Sequence, residues 1–208
     1  MTRILPGIIA MAAIVVASNI LVQFLVLDGL LTWGAFTYPF AFLVTDIMNR
    51  VYGPGPARRV VLAGFVTGVV CSLVGSQIIG EFGPLVPLRV AIASGVAFLT
   101  AQLLDVSIFN RLRNGHWWRA PLVSTLVASA VDTALFFTIA FAGFLSFGAA
   151  ADANVAWALD AAPLLLIGPD MPLWITLALA DWGVKLAIAL VALVPFRVIV
   201  RKMTLGVA

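Results

Sequence analysis

Three ionisable residues stand in stretches that otherwise read as hydrocarbon: Asp132 in 126-LVASAVDTALFFTIAF-141, and Asp181 with Lys185 in 174-WITLALADWGVKLAIAL-190. Asp181 and Lys185 are four residues apart, so on a helix they share a face and can neutralise each other. Asp132 is then left over. Two carboxylates and one ammonium carry a surplus negative charge, which a proton, another helix or a cationic ligand must balance. A charge at the centre of a bilayer costs at least about 2.5–3.5 kcal/mol, so such residues mark polar pathways. Uncharged polar groups fall in the same zone: Asn19 and Gln23 in the first apolar run, Tyr38 in the second and Gln102 in the fourth. Buried carboxamides need several partners, which suits them to orienting a polar solute. Phe136, with Phe36, Phe40, Phe137 and Trp182, offers flat apolar faces, whereas most of the nearby serines and threonines are ordinary helix-packing residues.

A second set lies at the ends of two apolar runs. In 45-TDIMNRVYGPGPARR-59 these are Asp46, Asn49 and Arg50; in 102-QLLDVSIFNRLRNG-115 they are Asp105, Asn110 and Arg111. Each aspartate lies one or two turns deeper than the Asn-Arg that follows it. The expectation is a gate at the inner mouth, with Asp46 or Asp105 paired to Arg50 or Arg111. Arg89 is expected to face the outer vestibule. No catalytic residue is expected, because no nucleophile is accompanied by a base. One cysteine (Cys71) and one histidine (His116) argue against a metal site and exclude a disulfide framework. No G-x-x-x-x-G-K-[ST] occurs, so the chain cannot hydrolyse ATP itself.

The elements that must position these groups follow from composition. Of 208 residues, 63% are apolar and only 10% charged, against about 25% charged in a soluble domain. Lipid is therefore the expected solvent, and the fold class is an all-α integral membrane protein. Apolar runs of roughly 20 residues are the spanning unit. Six are read, near 5–27, 33–49, 60–79, 87–109, 120–145 and 172–196, forming one transmembrane domain over 1–208. The first run is read as a retained helix rather than a cleaved leader. Helical rise places Asp132 roughly 18 Å from the start of its run, and Asp181 and Lys185 roughly 14 and 20 Å from the start of theirs, close to the midplane.

Arg3, then Arg50, Arg58 and Arg59, then Arg111, Arg113 and Arg119, then Arg197, Arg201 and Lys202 occupy alternate connections and both chain ends. Positive residues mark the cytoplasmic side, so both termini are expected there. Trp33 and Trp174 outside, and Trp117 and Trp118 inside, sit where interfacial aromatics belong. Residues 146–170 are too broken for a seventh span and suggest an interfacial or re-entrant helix. The basic loops suit anionic lipid headgroups, and no nucleic-acid partner is indicated. Gly64…Gly68 is compatible with a homodimer seam or with ordinary close packing.

The runs 18-SNILVQF-24, 32-TWGAFTYPFAFLVTDIMNRVYG-53, 89-RVAIAS-94, 104-LDVSIFNRLR-113, 117-WWRAPLVST-125 and 132-DTALFFTIAF-141, with Asp181…Lys185, closely resemble the queuosine precursor transporter family, also called the vitamin uptake transporter family. The resemblance reaches every run except much of the third. It implies a six-helix importer of 7-deazaguanine bases (preQ0, preQ1 or queuine) in the bacterial inner membrane, salvaging them for tRNA queuosine. A carboxylate can accept both the ring N–H and the exocyclic NH2 of a guanine-like edge, and a second would meet the ammonium of preQ1. The substrate set is then Asp132 and Asp181, with Lys185 tuning Asp181, Asn19, Gln23 and Gln102 orienting, and Tyr38 and Phe136 lining. No cofactor is expected; proton coupling is open, with Asp132 its expected seat. The alternative is a substrate-binding subunit energised by a separate ATPase complex of the ECF type.

Overall fold

The computed structural model describes residues 2–81 and 83–205. Four helices among them are long and apolar enough to cross a bilayer: α4 (Pro54–Gln77), α5 (Leu88–Leu112), α6 (Arg119–Phe141) and α8 (Leu173–Leu205). The other two expected spans are shorter. The first run gives α1 (Leu5–Leu21), which stops six residues before the boundary read from hydropathy. Hydropathy could not see this stop, because the residues after it, Gln23 apart, are also apolar; Leu25–Val26 instead pairs with Leu31–Thr32 in a hairpin.

The second run is interrupted. α2 (Trp33–Thr37) and α3 (Phe40–Tyr52) are separated by Tyr38 and Pro39. Proline has no N–H to give the carbonyl four residues back, here Ala35, so the helical ladder breaks. Tyr38 and Pro39 nevertheless keep helical dihedral angles (φ −55° and −60°). Together α2 and α3 cover 20 residues, roughly 30 Å if straight, about one hydrocarbon thickness.

Successive connections alternate between two ends of the bundle. One end is rich in arginine. There Gly53, at φ +86°, makes the tight joint between α3 and α4, and Pro54 opens the new helix. The other end carries three two-stranded hairpins, Leu25–Val26 with Leu31–Thr32, Ile79–Gly80 with Gly83–Pro84, and Ala161–Pro163 with Asp170–Pro172. The expected capping helix within 146–170 is replaced by shorter pieces: α7 (Ala149–Ala153), 3-10 turns at Ala156–Leu159 and Leu164–Leu166, and the last hairpin. Prolines 163, 169 and 172 remove N–H donors and limit helix length there.

One apolar cluster joins α1, α3, α4 and α5 through Met11, Met48, Val60, Val61, Phe98 and Val106. It also accounts for Gly64…Gly68. A Cβ on Gly64 would lie 2.6 Å from Met11 Cγ and 3.0 Å from Phe98 Cζ, and one on Gly68 would lie 3.6 Å from Val15 Cγ1. These glycines pack α4 against α1 and α5 within one chain, the ordinary close packing that is one of the two readings of the pair. Gly64→Val is expected to cost about 1–3 kcal/mol by overpacking. The check is its thermal midpoint in detergent, where Gly55→Ala, which meets no atom within 4 Å, is the control.

Candidate functional site

α6 and α8 pack along each other and bring the midplane charges together. Lys185 Nζ lies 2.7 Å from Asp132 Oδ2 and 2.5 Å from Asp181 Oδ2, and donates to Thr133 Oγ1 at 2.9 Å. Its three N–H groups are thus all engaged. Thr133 passes its own proton to Asp181 Oδ2 at 3.0 Å. The phenol of Tyr38, at the α2–α3 break, donates to Asp132 Oδ1 at 2.9 Å, while Lys185 Nζ sits 5.4 Å from the centre of the same ring. Helix rise puts this cluster roughly 20 Å from the arginine-rich end of α6, near mid-depth.

Lys185 does not simply cancel Asp181, as the spacing suggested. It bridges both carboxylates, and with both ionised the cluster carries one formal surplus negative charge. Asp132 and Lys185 are buried, with side chains 5% exposed, whereas that of Asp181 is 14% exposed. Asp181 Oδ1 accepts no hydrogen bond among the described residues, so it is the carboxylate oxygen left for a ligand.

The other residues read as substrate-binding divide. Phe136 lies one turn beyond Asp132 and belongs to an aromatic cluster with Phe137 and Phe141. Asn19 Nδ2 bonds back to Val15 O on its own helix at 2.9 Å. Gln23 is not on α1: it is exposed beyond the end of that helix and reaches Leu85 O at 3.4 Å, so its reading as a midplane amide is corrected. Gln102 is fully buried but accepts from Thr45 Oγ1 at 2.6 Å, in a second and separate polar layer.

That second layer holds Asp46 of α3 and Asp105 of α5, whose carboxyls adjoin. Ser124 and Thr125 of α6 donate to the two oxygens of Asp46 at 3.4 and 3.2 Å. The expected ion pairs with arginine do not form. Arg50 instead donates to Arg113 O at 2.6 Å and lies over the ring of Phe109, where it ties the ends of α3 and α5. Arg111 and Asn110 are exposed, and Asn110 accepts from Arg113 at 3.3 Å. The physical reason is reach: helix geometry carries arginines at the helix ends outward, toward water and chain carbonyls, away from carboxylates one or two turns deeper. Asn49, by contrast, is fully buried and bonds Val106 O at 3.0 Å.

Arg89 opens onto no vestibule either. It is 2% exposed and donates to Ile139 O (2.7 Å), Ala142 O (2.6 Å) and Asp152 Oδ1 (3.0 Å), with Phe147 stacked on its guanidinium. It clamps the 146–153 loop to the ends of α5 and α6. The Ser146 hydroxyl and the Phe147 N–H, with Arg89 behind them, hold the Asp152 carboxyl below its usual value. A depressed folded pKa means the stabilisation is present above the unfolded value and is lost as pH falls through the folded one. Protease cleavage within 146–153 is therefore expected to stay constant from neutral pH downward and rise only below about pH 4. A loop that opened at pH 6 would contradict the clamp.

Sequence reasoning places Tyr38 as a lining residue without foreseeing its bond to Asp132, and it takes Thr133 for a packing residue although it bridges Lys185 and Asp181. Long helices whose outer faces expose Leu62, Val66, Leu73, Leu190, Val191 and Val194, packed around a buried carboxylate–ammonium cluster, define a multi-pass membrane protein built around a polar centre. The family described as "Putative vitamin uptake transporter" matches residues 32–200, and the chain belongs to that family. The chain is 35% identical over 205 residues to the "Queuosine precursor transporter" of Escherichia coli K12, covering 92% of this chain and 83% of the relative. It is 40% identical over 121 residues to the "Probable queuosine precursor transporter" of Haemophilus influenzae, covering 53% of this chain and 52% of that relative. A Bacillus subtilis protein of the same name is 29% identical over 192 residues, covering 83% of this chain and 72% of its own length. No solved structure matches.

Proposed function

We propose that this protein is a self-sufficient carrier that imports 7-deazaguanine queuosine precursors across the bacterial inner membrane. In this reading α1, the α2–α3 pair, α4, α5, α6 and α8 make six crossings, with the arginine-rich end and both termini in the cytoplasm. The positive-inside rule supports that orientation. The observation that carries the function is the net negative, buried cluster of Asp132, Asp181 and Lys185, whose one open oxygen belongs to Asp181.

A deazaguanine meets that oxygen with its N–H and NH2 edge, a pairing of the strong, charge-assisted kind. The ammonium of preQ1 would balance the surplus charge outright, so preQ1 is the substrate the cluster favours over the uncharged nitrile preQ0. Tyr38 is placed to move with binding, because a cation on Asp132 competes with both its phenol and Lys185. The names of the relatives support the same substrate class.

The test is uptake of labelled preQ0, preQ1 and queuine into liposomes that hold only the purified chain, beside Asp181→Asn. Saturable uptake, strongest for preQ1 and reduced at least tenfold by the substitution, is the expected result. Tight binding without uptake would overturn the self-sufficient carrier, and neither binding nor uptake would overturn the substrate class.

A further inference from the structure

The layer below the cluster poses a problem that the proposed substrate site leaves untouched. Asp46 and Asp105 are 3% and 0% exposed, roughly 10 Å from the arginine-rich ends of their helices, and the bonds Thr45–Gln102 and Asn49–Val106 O bracket them at one level of the α3–α5 seam. The three ion pairs among the described residues are Arg89–Asp152, Lys185–Asp132 and Lys185–Asp181, and none reaches either carboxyl. Asp46 receives two long hydroxyl bonds, but neither oxygen of Asp105 has a donor. Two bare anions side by side in a medium of low dielectric cannot both persist, since their repulsion adds to the desolvation of each.

Independent groups point into the same seam. Asn49 is one turn beyond Asp46, and its Nδ2 binds the carbonyl of Val106, the neighbour of Asp105; its own Oδ1 has no partner. Three unpartnered acceptors thus lie at the junction of α3 and α5, against two unpartnered donors, Gln102 Nε2 and, one turn outward, Arg50 Nη2, whose guanidinium is tied to Arg113 O and forms no ion pair with either carboxyl. A seam with that imbalance calls for a positively charged occupant or a proton. With two carboxyls, no third acidic or histidine ligand among the described residues and hydroxyls already committed to Asp46, the donor set is too small for a divalent ion. A cavity of about 10 Å³ lies against Asp46 and Thr125, closed by Pro39, Pro121, Ala189 and Phe196, and room of that order holds one water.

We infer that Asp46 and Asp105 together bind one proton, and that this is the coupling proton of the carrier, at a site separate from the substrate cluster. The proton lies between one oxygen of each carboxyl, so the pair carries a single negative charge when loaded. The coupling half rests on the proposed import function; the binding half does not. The groups facing the pair are few. α3 presents Asp46 and, one turn outward, Arg50; α5 presents Asp105, with Arg113 at its end; α6 presents only the neutral Ser124 and Thr125; α8 presents Ala189, Leu193 and Phe196. A route toward the substrate exists on α6. Thr125, Ser129, Asp132 and Thr133 are spaced i, i+4, i+7 and i+8, one helical face, and all are buried.

Two readouts test this. The first is infrared absorption of the reconstituted full chain, which resolves the C=O stretch of a protonated carboxyl without any substrate. One such band at neutral pH, lost on raising pH, absent from Asp46→Asn/Asp105→Asn and retained in Asp132→Asn, is expected. No band in the wild type, or a band displaced by sodium at constant pH, would overturn the proton site. The second is accumulation of labelled preQ1 in liposomes under an inward proton gradient, against equilibrium exchange of preQ1 across the same membranes. Wild type is expected to accumulate several-fold and to acidify the lumen. Asp105→Asn is expected to equilibrate only, with exchange retained; Asp46→Asn serves the same purpose should the other variant fail to fold. Accumulation in the variants equal to wild type would overturn the coupling. If the wild type moves no preQ1 at all, the proposed substrate falls with the coupling, and the infrared band still decides the proton site.

Discussion

Lys185→Met is expected to be among the most destabilising single substitutions in this protein, costing about 3–5 kcal/mol, because it leaves Asp132 and Asp181 buried with no cation. The loss exceeds what the ion pairs contribute net. Removing one member of a buried network exposes the full desolvation cost of the others, whereas removing all the charges at once does not. Lys185→Met combined with Asp132→Asn and Asp181→Asn is therefore expected to regain much of the thermal midpoint in detergent while transporting nothing. Were Lys185→Met alone to melt like wild type, the two carboxylates would not depend on the ammonium and the arrangement of the centre would be wrong. Lys185→Arg is not a rescue: a planar fork on a longer stem cannot place one nitrogen among Asp132, Asp181 and Thr133.

Arg89→Leu is expected to cost a similar amount, about 3–5 kcal/mol, for a different reason. It strands the carbonyls of Ile139 and Ala142, the second of them fully buried, and leaves Asp152 without its cation. Arg89→Lys recovers part of this, since an ammonium can reach one or two of the three acceptors but lacks the fork that serves all of them. Thermal midpoints of the two variants, with proteolysis of the 146–153 loop as a second readout, check the ordering. If Arg89→Leu destabilises no more than Asp152→Asn, the carbonyl bonds contribute nothing and the clamp reduces to one ion pair.

Most of the bundle was legible because lipid as solvent imposes one rule on every long helix. α4, α5, α6 and α8 lie within a few residues of the hydropathy boundaries, save where α4 and α8 run on past them into polar sequence. The short helices were not legible for the opposite reason. Leu21 to Leu27 is apolar apart from Gln23, and the hairpin pairing with Leu31–Thr32 takes over where α1 ends. Among site residues, the i, i+4 spacing of Asp181 and Lys185 spoke plainly, and depth alone suggested that Asp132 would join them. What one dimension cannot carry is partner choice across helices. Asp46 with Asp105 rather than with Arg50, and Gln102 with Thr45 rather than with Asp132, depend on how α3, α5 and α6 are rotated against one another. Arg89 shows the same gap: its carbonyl partners lie 50 and 53 residues away.

The break at Pro39 has a consequence for local unfolding. α2 is five residues long, far below the 12–15 or so at which a helix holds its own shape, so its order is borrowed from what it touches. Beside its packing on α1 and α8, three close contacts hold it: Thr37 against Ser18 at 3.0 Å, Gly34 closed on the backbone of Ser18 and Val22, and, at its C-terminal cap, Tyr38 against Asp132. One of the three is a bond to the carboxylate that a cationic ligand would claim. Amide exchange across residues 33–38 is expected to be faster than in the long helices α4, α5, α6 and α8 and to change most when preQ1 is added, which exchange mass spectrometry would read directly. The segment that senses occupancy is then the one with the smallest free energy of opening, and filling the centre becomes a matter of how long one turn of helix stays wound.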